Sequence, residues 1–279
     1  FYGEKCYILD MYNVLSLGAG VQSSTLAMMY AKKELSPMPD FAVFADTEGE
    51  PKAVYEWLNW LEKQLPFKVY RVSKGNLQEN SLIIKTSKKS GNTYLPSTVP
   101  FFLLKDGKRK AMLTRGCTRD YKVRPIQKFV RKKCKVKWGE KAIVANMIIG
   151  ISTDEIVRVK ESRVVWAKNV YPLIENKISR QDCLDWFSKN NLNVPPRSAC
   201  TFCPYHNKTV WSNLKKNSPE EFQEVVEYEK KAKEIFKTLT SFDKNFDISL
   251  HSSGSLETFN KQKETNQLDL FDAECEGMC

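Results

Sequence analysis

No run of this chain is apolar for long enough to cross a membrane as a helix, and no secretory signal is evident. Two nucleotide-binding fingerprints are missing as well. No Gly-Lys-Ser/Thr follows the one conspicuous glycine turn, which excludes the P-loop of kinases and GTPases. Ser23 breaks Gly-x-Gly-x-x-Gly, which excludes the dinucleotide fingerprint. Acid is short relative to base: 33 Asp and Glu stand against 44 Lys and Arg, a net charge of +11. That balance leans toward polyanionic partners, tRNA or DNA among them; the competing reading is a basic protein with no nucleic-acid partner. The eight cysteines, without a signal, argue against a disulfide scaffold. They argue for metal or redox chemistry in a reducing, cytoplasmic compartment.

What is present is organised around residues 14–29. The stretch opens apolar and β-branched, turns through Gly18 and Gly20, and continues through Ser23 and Ser24 into a helix-period apolar set. Strand, glycine turn and helix make an anion site, because glycines let backbone approach a ligand and the helix start offers N–H groups. A tight turn that binds nothing is the alternative. A second strand, residues 41–45, ends in Asp46-Thr47-Glu48-Gly49. In an open α/β sheet both segments would face one crevice at the carboxyl ends of the strands. A helix-capping turn is the other reading of Asp46 and Thr47.

Further strands are expected over residues 67–72 and 142–149. Residues 75–113 lack periodicity and read as a basic insertion with Lys105, Lys108, Arg109 and Lys110. Cys117 precedes Arg119, Lys122 and Arg124, cations that would lower a thiol pKa and attract anions. Cys134 falls on a polar helix and Cys183 at a core-like helical position. Asp154 and Glu155 would cap a helix or hold Mg2+. Cys200-x-x-Cys203-Pro204 is a thiolate knuckle whose sulfurs can share one metal. Two amphipathic helices are expected after it, over residues 210–216 and 219–236. Residues 238–266 read as a Ser-, Asn- and Lys-rich linker. Cys275 and Cys279 end a polar tail.

Ser16, Gly18, Gly20, Ser23 and Ser24 resemble the PP-loop of the N-type ATP pyrophosphatase and PAPS-reductase superfamily, the adenine nucleotide alpha hydrolases. Gln22 stands where that family usually has Asp. Asp46 to Gly49, Cys117 to Pro125 and Cys200 to Cys203 follow in the family's order, a pattern also seen in PAPS-reductase-like phage and bacterial proteins. The resemblance covers most of residues 12–236.

It implies an open, mostly parallel five-stranded α/β sheet flanked by helices, with a helical C-terminal part carrying the knuckle. The expected division is a leader or remnant over 1–10, a nucleotide-binding part over 11–175, a helical knuckle part over 176–237 and a tail over 238–279. It implies an enzyme that binds ATP, or PAPS or APS, with Mg2+. Ser16, Gly18, Gly20, Ser23 and Ser24 would hold phosphates, and Asp46 and Thr47 the adenosine side. Cys117, Cys200 and Cys203 would hold a [4Fe–4S] cluster, with Cys279 or Cys275 able to close it. Zinc is the rival, with Cys₄ or with His206 completing Cys₃His. Arg119, Lys122 and Arg124 would serve the reacting phosphates.

The leading activity is adenylation of an acceptor, nucleic acid by the charge argument, followed by sulfur transfer from a donor the sequence does not name. The alternatives are sulfonucleotide reduction to sulfite, with Cys275 as nucleophile in an echo of the family's Glu-Cys-Gly motif, and a metal-stapled nucleic-acid-binding module. A homodimer is compatible with the chain.

Overall fold

The computed structural model describes residues 11–96 and 98–259. In chain order it contains β1 (Tyr12–Leu17), α1 (Val21–Ala31), β2 (Phe41–Asp46), α2 (Lys52–Gln64), β3 (Lys68–Ser73), α3 (Leu77–Asn80), β4 (Lys85–Thr86), β5 (Thr93–Tyr94), β6 (Phe102–Lys105) and β7 (Lys108–Met112). A π-helix (Thr118–Val123) runs directly into α4 (Arg124–Lys133). Then come β8 (Ala145–Ile149), a 3₁₀ segment (Thr153–Arg158), β9 (Ala167–Val170), α5 (Pro172–Glu175), α6 (Arg180–Lys189), α7 (Lys208–Asn217), α8 (Pro219–Thr238) and β10 (Asp247–Ser249).

Five strands form one sheet in the order β3-β2-β1-β8-β9, and all four pairings are parallel. This is the fold class the sequence implies. Strands buried on both faces read as continuous apolar runs, and β1 shows why: Leu15 and Leu17 pack with α1, α2 and α6, whereas Val14 packs on the other face with Ile126 and Val130 of α4. Strand order reverses between β1 and β8, which places the crevice beside the turn after β1.

Some local expectations change. The fifth strand is β9, a half-polar edge segment that carries no strand signature. The aperiodic stretch 75–113 holds the β4–β5 pair and the β6–β7 hairpin. Residues 247–259 of the expected linker are packed structure. Its β10 pairs with β6, and Ile248, Leu250, Leu256 and Phe259 are buried with Phe222, Tyr228 and Phe236. One carboxylate explains this. Glu229 of α8, 1% exposed, accepts from the N–H groups of Leu250 and Leu256 and from the hydroxyls of Ser249 and Ser255. The serines that made the segment look loose are its anchors.

Candidate nucleotide and thiol site

The glycine turn sits at the carboxyl end of β1. Its left-handed residue is Ala19 (φ 60), while Gly20 is extended (φ −90, ψ −173). Gly20 occupies the N-cap position of α1 and offers no side chain, so the helix start has no side-chain cap and no acidic residue in its first turn. An anion at that point meets a positive dipole end and N–H donors.

The serine hydroxyls are placed otherwise than expected. Ser23 Oγ accepts the Gly18 N–H at 3.1 Å and bonds back to the Gly20 carbonyl at 3.5 Å, so it shapes the turn. Ser24 Oγ accepts the indole N–H of Trp57 at 3.0 Å. Ser16 Oγ is buried and has no hydrogen-bond partner. Gly150, at the end of β8, lies against the start of α1: a Cβ there would stand 2.8 Å from Ser23 N and 2.9 Å from Ser23 Cα.

Gln22 is a hub. Its amide nitrogen donates to Glu155 at 3.2 Å and Ser152 at 3.4 Å, and its oxygen accepts Arg180 at 3.0 Å. Glu155 also pairs with Arg158. Asp154 caps no helix of its own: it accepts the Ser152 hydroxyl and the Arg180 N–H at the first residue of α6, whose N-cap is Ser179.

At the end of β2, Asp46 accepts Tyr55 Oη at 2.8 Å and the Glu48 N–H at 2.7 Å. Burial, then the bond to Asp46, pushes the Tyr55 phenol far above its ordinary pKa. Thr47 is buried, with Oγ1 3.1 Å from Cys200 Sγ. Gly49 lies under Phe202, whose ring would stand 2.6 Å from a Cβ. Glu50 is the residue that composition hid. Its carboxylate takes Lys122 Nζ at 3.1 Å, the Ser198 hydroxyl at 3.5 Å and the Cys200 thiol at 4.0 Å. Ser198 also donates to the Gly18 carbonyl. One buried polar network therefore joins the glycine turn, the loop after β2, the π-helix and the knuckle.

Lys122 is thus committed to Glu50, while Arg119 and Arg124 both hold Asp120 at the surface, at 3.0 and 2.7 Å. Those two pairings keep the Asp120 carboxyl below its usual range, the Arg119 bond first. Cys134 is buried at the end of α4, not on a polar face, and burial raises its thiol to about 11. Cys183 is buried as expected and raised to about 12.

Cys200 and Cys203 share a turn closed by the Cys203 N–H on the Cys200 carbonyl at 3.0 Å, and Cys117 and Cys200 border the same buried cluster. Burial first, then the charge of Glu50, raises the Cys200 thiol well above its ordinary value. His206 Nε2 lies 2.9 Å from the Cys200 carbonyl, an acceptor, so Nε2 carries the proton and Nδ1 is bare, buried and unpartnered. Burial and the nearby Arg197 depress this imidazole to about 3. Among the described residues no group of three or more His, Cys, Asp or Glu stands ready to hold a metal ion. In this arrangement Cys200 Sγ is turned to Thr47 Oγ1 and the Glu50 carboxylate, and a metal would have to draw it away from both. Cys275 and Cys279 lie outside the described residues, and no described helix is long and apolar enough to cross a membrane.

No protein-family model matches this chain, and no curated protein matches it. Among solved structures it is similar to phosphoadenylyl-sulfate (PAPS) reductase from Candida auris in a phosphate complex, at 14% identity and TM-score 0.38, over 67% of this chain and 75% of that one. It is similar also to the U34-tRNA thiolase NcsA from Methanococcus maripaludis with its [4Fe–4S] cluster, at 15% identity and TM-score 0.38, over 79% of this chain and 71% of that one.

Proposed function

We propose that this chain is a PP-loop enzyme that binds ATP across residues 18–24 and opens the bond between the α and β phosphates. The observation that carries this reading is the N-terminus of α1, with Gly20 at its N-cap and no acidic residue of its own in the first turn, at the point where strand order reverses. Phosphates would lie on its N–H groups, with adenosine toward Asp46 and Thr47. An acceptor oxygen attacks the α phosphorus, the new P–O bond forms as the bond to pyrophosphate breaks, and pyrophosphate leaves with the electron pair. An acceptor hydroxyl would give its proton to water. A sulfide-level nucleophile then attacks the acceptor carbon that bears the adenylated oxygen: the C–S bond forms, the C–O bond breaks, and AMP leaves with the electron pair.

The chain's own contribution is placement. The Glu50 network fixes the glycine turn to the knuckle, so the thiol side chains stand beside the nucleotide crevice. The acceptor class is nucleic acid, supported by the net charge of +11. For Cys117, Cys200 and Cys203 we propose ligation of a [4Fe–4S] cluster, supported by the shared turn and the shared buried border. It requires the Cys200 thiol to leave Thr47 and Glu50 and to ionise.

The test is incubation with ATP, RNA and sulfide and, separately, with PAPS and a dithiol reductant. Pyrophosphate and AMP from ATP are the expected products. Sulfite from PAPS with no turnover of ATP would replace this reading by sulfonucleotide reduction.

A further inference from the structure

Trp138 is 93% exposed, far beyond any other tryptophan or phenylalanine of the described chain. It stands in the loop between α4 and β8. Residues 124–143 carry eight Lys and Arg and a single acid, Glu140. Along α4, Ile126 and Val130 turn into the core, while Arg124, Lys128 and Arg131, spaced i, i+4 and i+7, are exposed on one face. Exposed Lys132, Lys135 and Lys137 extend that face toward Trp138, and the Arg131 guanidinium reaches the Lys137 carbonyl at 3.4 Å, tying the loop to the helix. Lys133 lies elsewhere, stacked over Tyr70. Cations in a last helical turn answer the helix dipole, which accounts for some of this charge but for neither Lys128 nor the uncovered indole.

The direction of the stripe matters. The π-helix ahead of α4 places Lys122 on Glu50 beside the crevice. The loop after α4 feeds the start of β8, at the amino ends of the parallel strands, opposite the crevice at their carboxyl ends. Ten residues of helix span about 15 Å. A cationic track therefore leads away from the crevice and ends on an aromatic platform.

We propose that this track binds a single-stranded nucleic acid, with phosphates along Lys128, Arg131 and Lys135 and an unpaired base stacked on Trp138. This deepens, and rests on, the acceptor class given above. A chain of phosphates matches the linear spacing of the cations, and an unpaired base matches a lone exposed indole, as in other single-strand sites.

Fluorescence anisotropy of the full chain with labelled oligouridylate and oligothymidylate, across a salt series, tests this. Trp138→Ala should weaken binding to single strands about tenfold, and to a duplex of equal length much less. Replacing Lys128, Arg131 and Lys135 by Ala should flatten the slope of log K against log salt by about 2. Affinity for ATP without nucleic acid, by calorimetry, should match wild type in both variants. Wild-type affinity and slope in both would overturn the proposal. So would loss of binding to phosphatidylserine vesicles in Trp138→Ala with oligonucleotide binding intact. If wild type binds no ATP yet Trp138→Ala still loses oligonucleotide binding, the ATP reading falls and the track stands.

Discussion

Lys122 and Glu50 meet with 3.1 Å between ammonium and carboxylate, and their side chains are 7% and 0% exposed. The pair bridges the π-helix and the loop after β2. A buried pair gains little over a well-packed apolar substitute, but removing one partner strands a charge in a low-dielectric interior. Lys122→Met should therefore cost about 3–5 kcal/mol of unfolding free energy, and Glu50→Leu added to it should restore most of that. Urea midpoints of the single and double variants check this. A double variant no better than Lys122→Met alone would mean the carboxylate is needed for its other bonds, to Ser198 and Cys200.

Gly150 makes the second prediction. The Cβ of an alanine would press on backbone of Ser23, not on a side chain that can swing away. Gly150→Ala should cost about 1–3 kcal/mol and push the start of α1 out of place. Affinity for ATP, by calorimetry, should fall more than Tm would suggest, because the displaced N–H groups are the proposed phosphate donors. ATP affinity equal to wild type in a folded variant would separate the turn from nucleotide binding.

These two sites mark where sequence reading reaches its limit. β1, β2 and α1 were legible because their apolar periods belong to residues close in the chain. β9 was not, since Ala-Lys-Asn-Val is held by its neighbour β8 and not by its own pattern. β10 finds its partner β6 more than 140 residues earlier, and the Glu229 bonds that set the segment leave no trace in composition. The glycine turn was legible as a turn, yet its strained position is Ala19. Lys122 reads in the sequence as a cation that draws anions toward a cysteine, and only the approach of Glu50 from 72 residues away makes it half of a buried pair.

His206 supplies a pH dependence. Its pKa is depressed from 6.5 to about 3, by burial first and Arg197 second. The unfolded chain thus binds a proton below 6.5 that the folded chain refuses. Stability from the neutral imidazole is fully present above 6.5 and is lost as pH falls toward 3. Between pH 7 and pH 5 the loss is about 2 kcal/mol. Urea titrations at the two pH values should show it in wild type and show less of it in His206→Gln, whose amide does not titrate. An equal loss in both proteins would move the cause to other groups.

The thiols carry the last prediction. Cys134 and Cys183 are buried, with pKa values raised to about 11 and about 12, and neither touches the Glu50 network. Replacing either with Ser should leave metal content unchanged. Cys200 is different: its thiol rests between Thr47 and Glu50, and a bound metal would reverse the effect of burial by holding the thiolate. Protein purified without oxygen should then be brown and contain about four irons per chain. Cys117→Ser, Cys200→Ser and Cys203→Ser should each lose them. Because Ser198, two residues before Cys200, is bonded to the Gly18 carbonyl, loss of the metal should also loosen the glycine turn and weaken ATP binding. One zinc and no iron would assign the knuckle to a structural role. Neither metal, with ATP affinity intact in Cys200→Ser, would leave the Glu50 network, as it stands, the whole of the link between knuckle and turn.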